Sequence, residues 1–497
     1  WLDEQFALPR LNAFDVAEQM SASLNGEEDL LGMIEFRSAW WNLIMKNPDL
    51  LRQRINYILS QIFVVSAFGS DLFEDHSSLS SVYYDVLGSN AFGNYRNLLS
   101  GVSRNVSMGI YLSHMNNPKS DPANNIHPDE NYAREVMQLF SIGLYELNND
   151  GTRKTDGNGQ LIPTYDNNDI REFAKIFTGF SNGLPNGQFG VPVGEGEALD
   201  DIVVVPMKMY DAWHEPGVKN LLNGQVVAAG QSGMQDFEAA MDNLYHHPNV
   251  GPFIGKALIQ FLVSANPSPA YVDRVANTFN DNGEGQRGDL KAVIKAILLD
   301  PEARTCDALN QATSGKLREP ILRYTGFLKA FNTQSNIDWL LHPMDDWGEE
   351  VGQIPVYATS VFNFYQPEFQ PNGPVATQNL VAPVFQIHNS SSSIGFINEV
   401  NRWTFMDIPF GYLDWLSNNF PNLGNISILP NFTDEMALVA DAPALIDRLD
   451  LLLACGQLSE SSKAIIVDAV NQATTPEDKL DLALYLIMVA PDYAILK

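Results

Sequence analysis

The chain has 497 residues, 45% of them hydrophobic, which is enough for one large or two closely packed domains with a full core. Sixty Asp plus Glu against 30 Lys plus Arg leave a formal charge of −30. That balance argues against nucleic acid, which needs a cationic footprint, and against an anionic membrane surface. The acid is dispersed, as on a solubilising surface or in a protein of a salty or extracellular setting.

The chain opens at Trp1 rather than Met, so an upstream segment is expected, either removed or not included in this sequence. Helical spacing of Leu51, Ile55, Ile58, Leu59, Ile62 and Phe63 predicts helices over 29–45 and 48–67. Residues 79–114 read as three shorter helices interrupted at Gly93 and Gly109, followed by a polar loop over 116–125. No apolar run approaches the roughly 20 residues that span a bilayer; the longest candidate, 58–68, is broken by polar side chains.

Residues 126–143 form the densest concentration of possible chemistry. Pro128 suits a first helical position, Asp129 and Glu130 suit a first turn, and Gly143 suits a left-handed stop. At about 100° per residue, Tyr132, Ala133, Val136, Met137, Leu139 and Phe140 make an apolar face. Glu130, Asn131, Arg134, Glu135 and Gln138 make a polar one headed by His127. Short strands are expected at 144–147 and 161–165, joined through Asp-Gly and Asn-Gly turns. Asp150, Asp156 and Asn158 in that link could ligate calcium, although the EF-hand order is absent.

A helix follows over 166–179, capped by Asp166 or Asn167. Residues 181–231 are the least helical, with an edge strand at 203–210, a turn through His214, a strand at 220–222 and a hairpin at Asn223-Gly224. Helices return at 233–246, 250–264, 269–281, 288–299 and 315–331. Residues 343–380 are irregular, and 390–497 is a run of helices ending at 480–489.

The fold class is therefore mainly α, a large multi-helix domain with a small β-hairpin insertion. Its parts are an N-terminal helical part (1–143), a β-containing insertion (144–231), a central helical part (232–342), an aromatic and proline-rich segment (343–389) and a C-terminal helical part (390–497). Together they read as one compact unit. The only cysteines, Cys306 and Cys455, are either one long-range disulfide of an exported protein or two unrelated thiols.

Three constellations carry possible chemistry. On the polar face, Glu130 and Arg134 are four apart, as are Asn131 and Glu135. If solvated, such pairs contribute only about a few tenths of a kcal/mol each. If buried, Arg134 would lower the pKa of one acid while burial raised another, leaving Glu130 and Glu135 as an acid/base pair. His127, Asn131 and Arg134 would then bind the ligand. A metal reading uses His127, Glu130 and Glu135, yet no His-Glu-x-x-His motif is present. His214, with Asp211, Glu215 and Lys219, is either a proton carrier or a loop-fastening residue. His246-His247-Pro248-Asn249 reads as a helix C-terminus. No Gly-x-Ser-x-Gly elbow, phosphate-cradling loop, dinucleotide fingerprint or haem-attachment motif occurs, so no cofactor is assigned.

The stretch His-Pro-Asp-Glu-Asn-Tyr-Ala-Arg-Glu-Val-Met-Gln-Leu-Phe (127–140) resembles the signature of the uncharacterised bacterial family catalogued as domain of unknown function 1800. Further matching segments are Tyr84-Asp85-Val86-Leu87, Phe177-Thr178-Gly179-Phe180, His246-His247-Pro248-Asn249, Gly288-Asp289-Leu290 and Lys316-Leu317-Arg318-Glu319-Pro320. The resemblance implies an exported, mostly helical bacterial protein, periplasmic, cell-surface or extracellular, with a sulfatase- or phosphatase-like neighbour-encoded partner. It implies no established activity. Family members usually carry a further segment before the Trp-Leu-Asp-Glu-Gln-Phe stretch that opens this chain. Two functions follow as expectations: a binding or assembly protein, or a hydrolase of an extracellular polymer using Glu130 and Glu135 with His127 and His214.

Overall fold

The computed structural model describes residues 1–24, 32–193, 199–305, 313–342, 348, 350–405, 418, 424 and 426–496. It is mainly helical, with short two-stranded pairings. The chain divides into two compact units, and each draws on separated stretches of sequence.

The first unit comprises Trp1–Phe14, Pro48–Ala312 and Val356–Asn363. Its helix Leu50–Ile62 buries Leu51, Ile55, Ile58 and Leu59, the residues whose spacing predicts it. It packs on Leu2–Ala7 and on Ser77–Asn90, which in turn packs on Tyr95–Ser103 and Val106–Tyr111. Gly109 does not interrupt a helix. It lies within Val106–Tyr111, where an added Cβ would stand 2.7 Å from Met207, so the glycine admits a close neighbour. Four later helices start at polar caps: Ser232 before Gly233–Tyr245, Ser268 before Pro269–Asn280, Asp289 before Leu290–Leu299, and Asp166 before Asn167–Ile176.

The β insertion is smaller than its sequence suggests. Of the strand expected over 203–210 only Lys208–Met209 pairs, antiparallel with Phe180–Ser181, because Leu199–Val203 is helical. Lys219–Asn220 pairs with Val226–Val227 across Asn223 and Gly224, whose φ values of 57° and 73° provide the expected turn. The 144–164 segment forms isolated bridges, Tyr145 with Pro163, Leu147 with Arg153 and Thr155 with Leu161.

The second unit comprises Asp15–Asn47, Thr313–Pro355 and Phe364–Lys497. Met33–Lys46 packs on Pro320–Ala330, while Pro476–Val489 packs on both Ser390–Phe405 and Glu460–Gln472. Met20, Leu24, Leu340, Leu341, Ile426 and Ile428 form one of its apolar clusters. The helix expected to begin at 315 begins at Pro320; Lys316–Leu317 instead pairs with Ile495–Leu496 at the end of the chain. Cys455 is exposed, and Cys306 lies outside the described residues. Among the described residues, no helix is long and apolar enough to cross a membrane.

Candidate functional site

The central helix runs Asn131–Gln138, three residues shorter at its start than its pattern suggests. Asp129 is the reason. Its carboxylate accepts the Asn131 N–H (2.7 Å) and the Ser113 hydroxyl (2.9 Å), while its own N–H donates to Asn117 Oδ1 (3.0 Å). These bonds keep Pro128 and Asp129 in the preceding loop. At the other end Gly143 adopts φ 71°, with its N–H on the Met137 carbonyl (3.0 Å). Asn249, from the His-His-Pro-Asn stretch, fastens that end by donating to the Ile142 and Tyr145 carbonyls, each at 2.8 Å.

The apolar face is buried as expected. Tyr132 stacks on His114 at 3.9 Å, meets Phe177 edge-on at 4.8 Å and donates to Ser103 Oγ at 2.6 Å. Burial lowers the His114 pKa to about 4, so the ring is neutral.

The polar face divides. His127 and Asn131 are exposed. Glu130 and Arg134 form a half-exposed ion pair at 3.5 Å. Glu135 is different: it is 5% exposed, and its Oε2 is buried without a hydrogen-bond partner. Asn131, four residues back, does not bond to it and donates instead to Ser113 Oγ. Burial raises the Glu135 pKa, and the Arg134 charge opposes that shift only in part.

Two tyrosines stand in the field of this carboxylate. Tyr111 ends the helix Val106–Tyr111, and Tyr165 precedes the cap of Asn167–Ile176. Each has its pKa pushed up to about 12, first by burial and then by the Glu135 charge. Tyr165 also donates to Gln138 Oε1 at 3.2 Å. Three elements thus converge on one unsatisfied acid. Sequence reasoning missed both tyrosines, because neither lies on the helix and no spacing links them to it.

His214 belongs to a second cluster. It is 2% exposed, and its Nδ1–H donates to the Thr178 carbonyl (2.9 Å). Nε2 faces Asp236 Oδ2 at 3.0 Å and Lys219 Nζ at 3.2 Å. Lys219 donates to Asp236 and to the Glu215 carbonyl. With Nδ1–H spent on the Thr178 carbonyl, Nε2 is the ring nitrogen that meets the Lys219 and Asp236 side chains. Gly233 makes room for this arrangement, since a Cβ there would stand 2.5 Å from Met209 and 2.9 Å from the His214 ring. No hydrogen bond or ion pair among the described residues joins His214 to Glu130, Arg134 or Glu135.

Among the described residues, no group of three or more His, Cys, Asp or Glu is placed to hold a metal ion. His127, Glu130 and Glu135 differ in exposure and do not form such a group. The carboxylates weighed for calcium are engaged in turns. Asp150 accepts from the Thr152 N–H and hydroxyl, and Asp156 accepts from the N–H groups of Asn158 and Gln160. These hydrogen bonds hold both pKa values below the usual carboxylate range.

Two clefts of about 400 and 410 Å³ open beside His246. Asn149, Lys154 and Arg287 line the first, and Gln225 and Asp242 the second; no central-helix residue lines either.

No curated protein and no solved structure matches the chain. One family model does, described as a protein of unknown function (DUF1800), over residues 1–495. Its reach over essentially the whole chain agrees with the resemblance carried by the central-helix stretch, and the chain belongs to this uncharacterised family.

Proposed function

We propose that this protein is a hydrolase in which Glu135 is the proton-carrying group. The observation that supports the reading is a buried carboxylate whose Oε2 has no hydrogen-bond partner and whose pKa is raised. Such a group holds its proton nearer to neutral pH and can release it to a leaving oxygen as the bond to that oxygen breaks. Glu130, ion-paired with Arg134, is the complementary base and takes a proton from the attacking water. Tyr111 and Tyr165, kept protonated by burial, are hydrogen-bond donors for the substrate. The substrate is an extracellular polymer, and the protein acts after export, as its family resemblance implies. Incubation with a panel of polysaccharides and polyesters, followed by assay of released ends, tests this. Hydrolysis by the wild type and its loss in Glu135→Gln are expected; full activity in that variant overturns the reading.

A second reading is favoured by one surface feature. Trp213 is 46% exposed and stacked on Phe189 at 4.6 Å. In this reading the chain is a cell-surface binding or assembly protein whose sulfatase- or phosphatase-like partner docks on that pair. Trp213→Ala would then abolish co-purification with the partner without changing the melting temperature.

A further inference from the structure

One buried cation in the second unit stands apart. Arg323, on the helix Pro320–Ala330, is 1% exposed. Its Nε and Nη2 are both buried and have no hydrogen-bond partner. These two N–H groups share one edge of the guanidinium and point in parallel, which is the edge that grips a carboxylate or phosphate with two bonds. Arg274 shows the satisfied form in the same chain: its Nε and Nη2 donate to the two oxygens of Asp300 at 2.7 and 2.8 Å.

Among the described residues, no carboxylate forms a hydrogen bond with the Arg323 Nε–Nη2 edge. Its guanidinium lies 3.9 Å from the centre of the Phe396 ring, a contact that attracts a cation but leaves the charge in place. His388 meets the same Phe396 ring edge-on at 6.3 Å, and its Nδ1 is also buried without a partner. Arg318 is close enough for its charge to be felt at Arg323. Glu319, the residue that precedes the helix, accepts from Gln353 Nε2 at 2.8 Å. A buried charge left without a counter-charge is strongly disfavoured, and an apolar side chain of similar size would be the more stable occupant. Among the described residues, none supplies the anion that this edge of the guanidinium would grip.

We propose that the Nε–Nη2 edge of Arg323, with His388 Nδ1 against the same aromatic ring, is a receptor for a small oxyanion. The ligand carries a carboxylate, phosphate or sulfate group, free or as the end of a larger molecule. This site lies in the second unit and stands independently of Glu135.

The test uses the full chain in chloride buffer with sodium acetate, phosphate or sulfate added at constant ionic strength. At least one of the three is expected to bind saturably at one site per chain by calorimetry. The same anion should raise the melting temperature with the logarithm of its concentration. Its identity separates a carboxylate from a phosphate or sulfate ligand. Arg323→Lys keeps the charge but loses the two-donor edge, so binding should weaken at least tenfold. Arg323→Met should fold without anion and show no response to it; if it does not fold, the lysine variant decides. No binding of any of the three by the wild type, or wild-type binding in either variant, overturns the proposal.

Discussion

Two buried carboxylates in the first unit invite comparison. Asp236 and Glu135 are both almost wholly enclosed, at 0% and 5% exposed. Asp236 faces a lysine and a histidine, whose other polar atoms reach the Thr178 and Glu215 carbonyls. Glu135 Oε2 accepts no hydrogen bond, although Arg134 is its immediate neighbour in sequence. Burial alone therefore does not mark a site: each acid keeps one buried oxygen without a hydrogen-bond partner, Asp236 Oδ1 and Glu135 Oε2. The difference is that Asp236 Oδ2 meets the Lys219 ammonium whereas, among the described residues, no ion pair reaches Glu135. A charge-paired network holds loops together, while a buried acid without a counter-charge is costly to keep ionised.

Removing one member of the charge-paired cluster should have the largest effect. Asp236→Asn leaves Lys219 charged in the interior, and a loss of about 3–5 kcal/mol is expected in urea unfolding. Gly233→Ala should cost less, about 1–3 kcal/mol, because Met209 and the His214 ring must shift to admit the methyl group. Neither change should alter the ionisation of Glu135.

Glu135→Gln should behave in the opposite way and leave stability at neutral pH unchanged or raised, since no partner is orphaned. Its signature is in the pH dependence. The folded pKa is raised, so the native state binds more protons than the unfolded one between the ordinary glutamate value and the folded value. Stability contributed by this group therefore falls as pH rises through that window, from about pH 4 upward. Urea midpoints measured across the window should show this slope in the wild type and its loss in the variant. The smallest effect belongs to the surface pair. Arg134→Ala should change stability by less than about 1 kcal/mol, because Arg134 and Glu130 are both well solvated.

Much of the helical fold was legible in the sequence, because caps and 3.6-residue spacing are local. The helices Gly233–Tyr245 and Pro269–Asn280 begin where the sequence pattern places them, and Leu290–Leu299 begins two residues after the expected 288. The central helix was misplaced at its start because Asp129 bonds to Ser113 and Asn117, partners 16 and 12 residues away in sequence. Glu135 was legible as a candidate, but its isolation was not. Its four-residue spacing from Asn131 suggested a pair, whereas Asn131 turns toward Ser113. The roles of Tyr111 and Tyr165 depend on the convergence of three elements, which no local pattern encodes. His214 was found by its loop chemistry, but the partner that seals it, Asp236, lies on a helix 22 residues onward.

The central claim is that Glu135 carries a proton further toward neutral pH than an ordinary glutamate. Carbon-13 NMR of side-chain carboxyls, with the Glu135 resonance assigned by its loss in Glu135→Gln, measures this directly. A titration midpoint clearly above the usual glutamate value of about 4.3 is predicted. A midpoint at or below that value would contradict the account.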